Sequence, residues 1–70
     1  MKYEDIKVGM LVKIHMNKNE LAYAERYEGF IGEVKDIYSN DTRMPIVVNV
    51  PFEGKLIMVA FKPKELTEVK

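Results

Sequence analysis

The side chains that could perform chemistry in this sequence are few and scattered. Nucleophilic catalysis needs a Ser, Cys or Thr beside a base, and the chain has no Cys, a single Ser and a single His. Ser39 lies in the run Ser39-Asn40-Asp41, which is typical of turns whose side chains bond to the backbone. His15 falls on the wet face of a predicted strand, and a zinc site would need three or four clustered ligands. The sequence therefore predicts no catalytic residues, no metal site and no cofactor.

Tyrosine and arginine side chains in two predicted loops form the first candidate partner-binding surface. Tyr23, Arg26 and Tyr27 precede the second predicted strand, Tyr38 ends it and Arg43 follows it. Tyr and Arg are enriched at binding hot spots, and they also suit stacking on a base or nucleotide. The alternative is that the tyrosines only cover one open end of a small fold. The residues themselves leave both interpretations open.

The overall composition indicates a folded domain with no general preference for polyanions. The 70 residues contain 11 basic and 11 acidic side chains, and 47% of the residues are hydrophobic. This hydrophobic fraction argues against disorder, and a zero net charge makes a dedicated nucleic-acid binder less expected. The start of the chain lacks the apolar stretch of a signal peptide, and the longest apolar run, Leu56 to Phe61, is too short to span a bilayer. We expect one domain over residues 1–70, cytoplasmic and without membrane contact.

Alternation of apolar and polar residues predicts four strands, over residues 10–16, 30–38, 46–52 and 55–61. In the second strand the alternation slips at Asp36-Ile37, which indicates a bulge. Pro45 and Pro51 bracket the third strand and belong at strand ends or on an edge. Residues 62–66 suit one helical turn that places Leu66 at the end of the fold, and residues 67–69 supply a short closing strand. The sequence therefore predicts an all-β fold of five strands.

The third and fourth strands predict a specific pairing. If Glu53-Gly54 forms a two-residue hairpin loop, the larger β-forming side chains of both strands share one face. The predicted opposite pairs are Val50–Ile57, Val48–Val59 and Ile46–Phe61. Glu-Gly is a weaker turn sequence than Asn-Gly, so a bulged three-residue loop is the alternative.

This pairing leaves an unusually apolar outer face on the hairpin. Val47 then faces Ala60, Asn49 faces Met58 and Pro51 faces Leu56 on the side away from the core, and Leu11 is a candidate addition. Exposed apolar patches often mark interfaces. The candidate interface residues are therefore Leu11, Val47, Leu56, Met58 and Ala60. A homodimer is the first interpretation, and coverage by residues 17–29 of the same chain is the alternative.

Residues 19–28 suit either a short helix or a loop. Asn19 could cap a helix and Gly29 could end it, but a helix of this length is marginal alone. A long loop between the first two strands is the preferred interpretation.

The assembled motifs resemble known families. Lys7 to Ile14 looks like the opening of many SH3-like barrels, and Gly29-Phe30-Ile31-Gly32-Glu33-Val34 resembles the core of the KOW motif of ribosomal and transcription-elongation proteins. Pro45 to Val48, Phe61 and Glu65 to Val69 are similar to the photosystem I subunit IV family and its electron-transport-accessory relatives. The resemblance implies a five-stranded SH3-like barrel with a long first loop and a short helical turn before the last strand. The one-domain chain and its Lys-, Glu-, Asn- and Ile-rich composition also resemble small phage or prophage proteins.

The expected function is that of a non-enzymatic binding, adaptor or inhibitor-type module that engages a protein partner. A KOW-like RNA or ribosome-binding module is the first alternative, with cationic contacts from Lys13, Lys18, Arg26, Lys35 and Arg43. A small nucleotide-ligand binder of phage origin is the second.

Overall fold

The computed structural model describes residues 1–15 and 27–69. Within them the strands are β1 Leu11–Ile14, β2 Ile31–Ile37, β3 Ile46–Phe52, β4 Lys55–Phe61 and β5 Leu66–Glu68. Two 3₁₀ turns, Tyr3–Asp5 and Pro63–Glu65, precede β1 and β5. The predicted all-β class, the five strands and the short turn before the last strand are confirmed.

The five strands form one antiparallel sheet in the order β4-β3-β2-β1-β5. Strands β1 to β3 each pair with the next strand along the chain, and β5 returns to the free side of β1. The two outermost strands are therefore the seven-residue β4 and the three-residue β5.

Period-two burial gives the sheet one dry face, because successive side chains of a strand point to opposite sides. In β1, Val12 and Ile14 are buried while Leu11 and Lys13 are exposed. The same alternation continues through β2 and β3. The buried hydrophobic residues are Ile6, Val12, Ile14, Tyr27, Val34, Ile46, Val48, Val50, Phe61 and Leu66.

The β3–β4 hairpin has the predicted register. Val50 pairs with Ile57, Val48 with Val59 and Ile46 with Phe61. The loop residues Glu53 and Gly54 have φ values of 52° and 78°. Two consecutive positive φ angles are the mark of a type I′ turn, whose twist matches that of the flanking strands. The two-residue loop is therefore confirmed.

The bulge in β2 lies one residue before the predicted position. Val34 pairs with Val48 and Asp36 pairs with Val47, so Lys35 is the extra residue between them. The register between β2 and β3 therefore shifts by one residue at Lys35. A bulge of this kind bends the strand and increases the local twist of the sheet.

A capping contact holds the turn before β5. The backbone N–H of Lys62 donates to Oε1 of Glu65 at 2.7 Å, and Glu65 is 2% exposed. Leu66, which follows, is 1% exposed and belongs to the hydrophobic core. The choice between helix and loop for residues 19–28 falls, up to residue 26, outside the described residues.

Candidate interaction surfaces

The outer face of the β3–β4 hairpin exposes two large apolar side chains next to each other. We use "outer face" for Val47, Asn49, Pro51, Leu56, Met58 and Ala60. Leu56 is 69% exposed and Met58 is 70% exposed, and Ala60 continues the same row along β4. Val47 and Asn49, on the neighbouring strand, are half-buried. The predicted cross-strand pairs of this face are all present.

Leu11 and Ile31 lie on the same side of the sheet, but they relate differently to the outer face. Leu11 is 51% exposed and pairs with Glu33, which in turn pairs with Asn49. A carboxylate therefore separates Leu11 from the hairpin. Ile31 is 46% exposed, and continuing the β2–β3 register brings it opposite Pro51. Ile31 is the apolar extension that the sequence reasoning missed, because its neighbours are known only once β2 is placed beside β3.

Tyr27 lies in the core. Its side chain is 9% exposed, and its ring makes edge-on contacts with three phenylalanines. The ring centroids are 5.5 Å from Phe52 and 6.4 Å from both Phe30 and Phe61. Edge-to-face packing at such distances stabilises aromatic clusters beyond simple area burial. The geometry therefore assigns Tyr27 to the hydrophobic core and not to an exposed Tyr/Arg surface.

Two other members of the Tyr/Arg surface, Tyr38 and Arg43, lie between β2 and β3. Tyr38 is 52% exposed, and its carbonyl oxygen accepts a hydrogen bond from the Tyr3 hydroxyl at 2.6 Å. This bond joins the first 3₁₀ turn to the loop that carries Arg43. Tyr23 and Arg26 lie outside the described residues. Of the five predicted residues, Tyr38 and Arg43 therefore remain as exposed groups on one loop.

Arg43 lines an open cleft of about 470 Å³ between the first 3₁₀ turn, the β2–β3 loop and the turn before β5. Three lysines from distant parts of the chain also line it, and Glu4 is the single acidic residue among the lining side chains. We call this the basic cleft; its cationic residues are Lys2, Arg43, Lys62 and Lys64. The cleft was missed from the sequence because Lys2 and Arg43 meet the Lys62-Pro63-Lys64 segment only in the folded chain.

The described residues contain no group of three or more His, Cys, Asp or Glu side chains arranged to hold a metal ion. Nδ1 of His15 lies 3.5 Å from a carboxylate oxygen of Glu28, and both side chains are about half exposed. Such exposed pairs contribute little to stability. In the described part of the chain no helix is both long and apolar enough to cross a membrane.

No family model matches this chain, and the comparisons with curated proteins and with solved structures gave no significant match. The interpretation of its surfaces therefore depends on geometry and chemistry alone.

Proposed function

We propose that this chain is a non-enzymatic protein-binding module whose partner docks on the outer face of the β3–β4 hairpin. The observation that carries the proposal is the adjacent exposure of Leu56 and Met58, at 69% and 70%. The expected SH3-like architecture forms part of the proposal, and the strand order with a 3₁₀ turn before β5 supports it.

The chemistry of this face suits a protein surface better than a charged ligand. Fully burying a Leu or Met side chain contributes about 1.5–3 kcal/mol relative to leaving it exposed. Two adjacent anchors could thus supply a large share of a moderate affinity, because every 1.4 kcal/mol is about a tenfold change in the dissociation constant. Val47 and Asn49, on the neighbouring strand, are half-buried, and Asn49 pairs directly with Met58.

The test is affinity capture with matched charge variants. Met58→Asp and Leu56→Asp each place a carboxylate on the outer face, and we expect either variant to weaken capture of a specific partner by about tenfold or more. Val8→Asp is the control, because Val8 is 62% exposed and lies outside the hairpin. A partner that both hairpin variants retain at wild-type strength would refute the assignment, as would equal loss from the Val8 variant.

A second candidate function is binding of a phosphate-bearing ligand in the basic cleft. This combines the two alternatives from the sequence, an RNA-binding module and a nucleotide-ligand binder. The observation that favours it is that four cationic side chains and one acidic side chain line the same cleft, in a chain with no net charge. Arg is suited to bidentate phosphate contacts, and the bond from Tyr3 to the Tyr38 carbonyl fixes one wall of the cleft.

The two sources of phosphate can be separated by experiment. A nucleotide that binds the folded state raises the melting temperature, whereas RNA binding weakens steeply with salt. Arg43→Gln should weaken either ligand, and Lys55→Gln is the control because Lys55 is exposed on β4 and does not line the cleft. Equal effects of the two variants, or no binding at low salt, would remove this candidate.

A further inference from the structure

Strand β4 is a seven-residue edge strand of apolar character. Among the described residues its one hydrogen-bonded neighbour is β3, and it spans seven residues. From Leu56 to Phe61 it contains neither a charged residue nor a proline. Natural sheets usually protect exposed edges with charges, prolines, bulges or very short strands. The opposite edge follows this rule, because β5 has only three residues and includes Glu68.

The hairpin turn determines which backbone groups of β4 face the open side. A tight turn joins the Phe52 carbonyl to the Lys55 N–H, and bonded and non-bonded pairs then alternate along an antiparallel ladder. Residues 55, 57, 59 and 61 therefore bond to β3. The N–H and C=O groups of Leu56, Met58 and Ala60, which we call the edge residues, point away from it.

An independent hydrogen bond supports this assignment. The N–H of Tyr38 donates to the carbonyl of Pro45 at 2.7 Å, so the odd-numbered residues of β3 face β2 and the even-numbered ones face β4. The same pattern explains Pro51, whose missing N–H would point toward β2 beyond the last pair, Glu33 with Asn49. The β3–β4 ladder thus loses no donor to that proline.

We propose that the edge of β4 binds a second copy of this chain, antiparallel, about a two-fold axis at Met58. In this register Met58 lies opposite its own copy, and Leu56 lies opposite Ala60 on both sides of the axis. All three pairs join edge residues to edge residues, and each such pair exchanges two hydrogen bonds. The result is six new hydrogen bonds and a continuous ten-stranded sheet.

The side chains and charges of β4 are compatible with this self-pairing. A two-fold interface must be complementary to itself, and here a large Leu faces a small Ala on each side of a central Met pair. Lys55 lies opposite Phe61 of the copy, so the two Lys55 side chains are at opposite ends of the shared ladder, about 20 Å apart. No like charges are opposed.

The dimer has a consequence for the proposed docking face, although it does not rest on that proposal. Side-by-side pairing places the outer faces of the two hairpins next to each other on one side of the joined sheet. Leu56, Met58 and Ala60 of both copies then form a single apolar surface. A partner would contact twice the apolar area that one chain offers.

Amide hydrogen exchange combined with sedimentation provides the test. At low protein concentration the edge amides should exchange at nearly free rates, whereas those of Ile57 and Val59 should be protected by β3. As concentration rises, the mass should double and protection should appear at the edge residues. A chain that stays monomeric at millimolar concentration would overturn the proposal. A dimer whose edge amides still exchange freely would also overturn it, because its copies would be joined elsewhere.

Two variants at one position separate backbone pairing from side-chain contact. Met58→Pro removes the central outward donor and leaves the β3 ladder intact, a position at which proline is tolerated. Met58→Ala truncates the same side chain but keeps the donor. We expect the proline variant to be monomeric at concentrations at which the alanine variant still dimerises, with circular dichroism showing that both are folded. Equal dimerisation of the two would refute the strand pairing.

These readouts are independent of partner capture. A dimer that captures no partner leaves the strand pairing in place and removes only the proposed function. A monomer that captures a partner through Met58 removes only the strand pairing.

Discussion

Gly32, in the middle of the sheet, is predicted to be intolerant of even one added methyl group. A Cβ placed on it would lie 2.5 Å from the carbonyl oxygen of Asn49 and 2.6 Å from Cγ1 of Val48. The first atom belongs to the backbone of β3, and the second belongs to a β-branched side chain with few alternative rotamers. Neither can move aside without shifting the strand. Gly32→Ala should therefore push β2 and β3 apart.

The expected cost follows from general magnitudes. Overpacking a closely packed site costs about 1–3 kcal/mol, and both contacts here are short and stiff, so we expect the upper half of that range. The smaller entropy of the unfolded alanine chain offsets about 0.4–1 kcal/mol. A net loss of about 1–2.6 kcal/mol corresponds to a decrease in Tm of about 4–21 °C for a domain of this size. Thermal unfolding by circular dichroism, with urea unfolding beside it, measures both quantities.

Gly54 provides a control, because glycine is required there for its backbone conformation and not for lack of space. It has a φ of 78° and no atom near its missing Cβ, so substitution there strains the backbone without a collision. Asn tolerates this conformation better than Ala does, so Gly54→Asn should be milder than Gly54→Ala. At Gly32 the order should reverse, because Asn is larger. If Gly32→Ala unfolds within about 0.3 kcal/mol of the wild type, or if the two positions rank the substitutions alike, the reasoning from close approach is wrong.

Three further predictions concern contacts that hold the surfaces in place. Tyr3→Phe removes the 2.6 Å hydrogen bond to the Tyr38 carbonyl, and we expect it to lower the free energy of unfolding in urea by about 0.5–1.5 kcal/mol. Tyr38→Phe keeps that carbonyl and should cost much less. Equal costs of the two variants would contradict this account. Glu53→Asn places a residue suited to positive φ in the type I′ turn. It should raise the Tm by a few degrees, at about 4–8 °C per kcal/mol of stability gained, while Glu53→Gln should not. A higher Tm for the Gln variant would argue against the turn geometry. Tyr27→Ala removes a buried aromatic ring and should lower the free energy of unfolding by about 3–5 kcal/mol. The measurement is circular dichroism in the near ultraviolet, where the signal of the folded state should be lost. A stable, fully folded variant would show that the ring is not part of the core.

The β3–β4 hairpin shows how far local patterns reach. Its pairs were predictable because a two-residue loop leaves only one register that unites Val48, Val50, Ile57 and Val59 on one face. The bulge in β2 was predictable to within one residue, since an interrupted alternation marks the neighbourhood of an extra residue but not the position that loses its partner. Such features depend on neighbours close in sequence.

The candidate surfaces likewise divide into residues whose exposure follows from local pairing and residues whose contacts depend on distant segments. The exposed character of Leu56 and Met58 followed from the hairpin register, and the structure agrees. The role of Tyr27 did not follow, because a loop tyrosine has the same sequence pattern whether its ring meets solvent or three phenylalanines. Only the folded chain brings those rings, from three separate segments, to one place.

The sequence by itself determined the strands, the turn chemistry and the two faces of the hairpin, because alternation and backbone dihedral angles are properties of adjacent residues. The tertiary structure decided that β4 is the long open edge and that Glu33 separates Leu11 from the hairpin. It also decided that Lys2, Arg43 and Lys62 line one cleft. These outcomes depend on the order of strands in the sheet. That order is a choice among long-range pairings, and no local pattern specifies it.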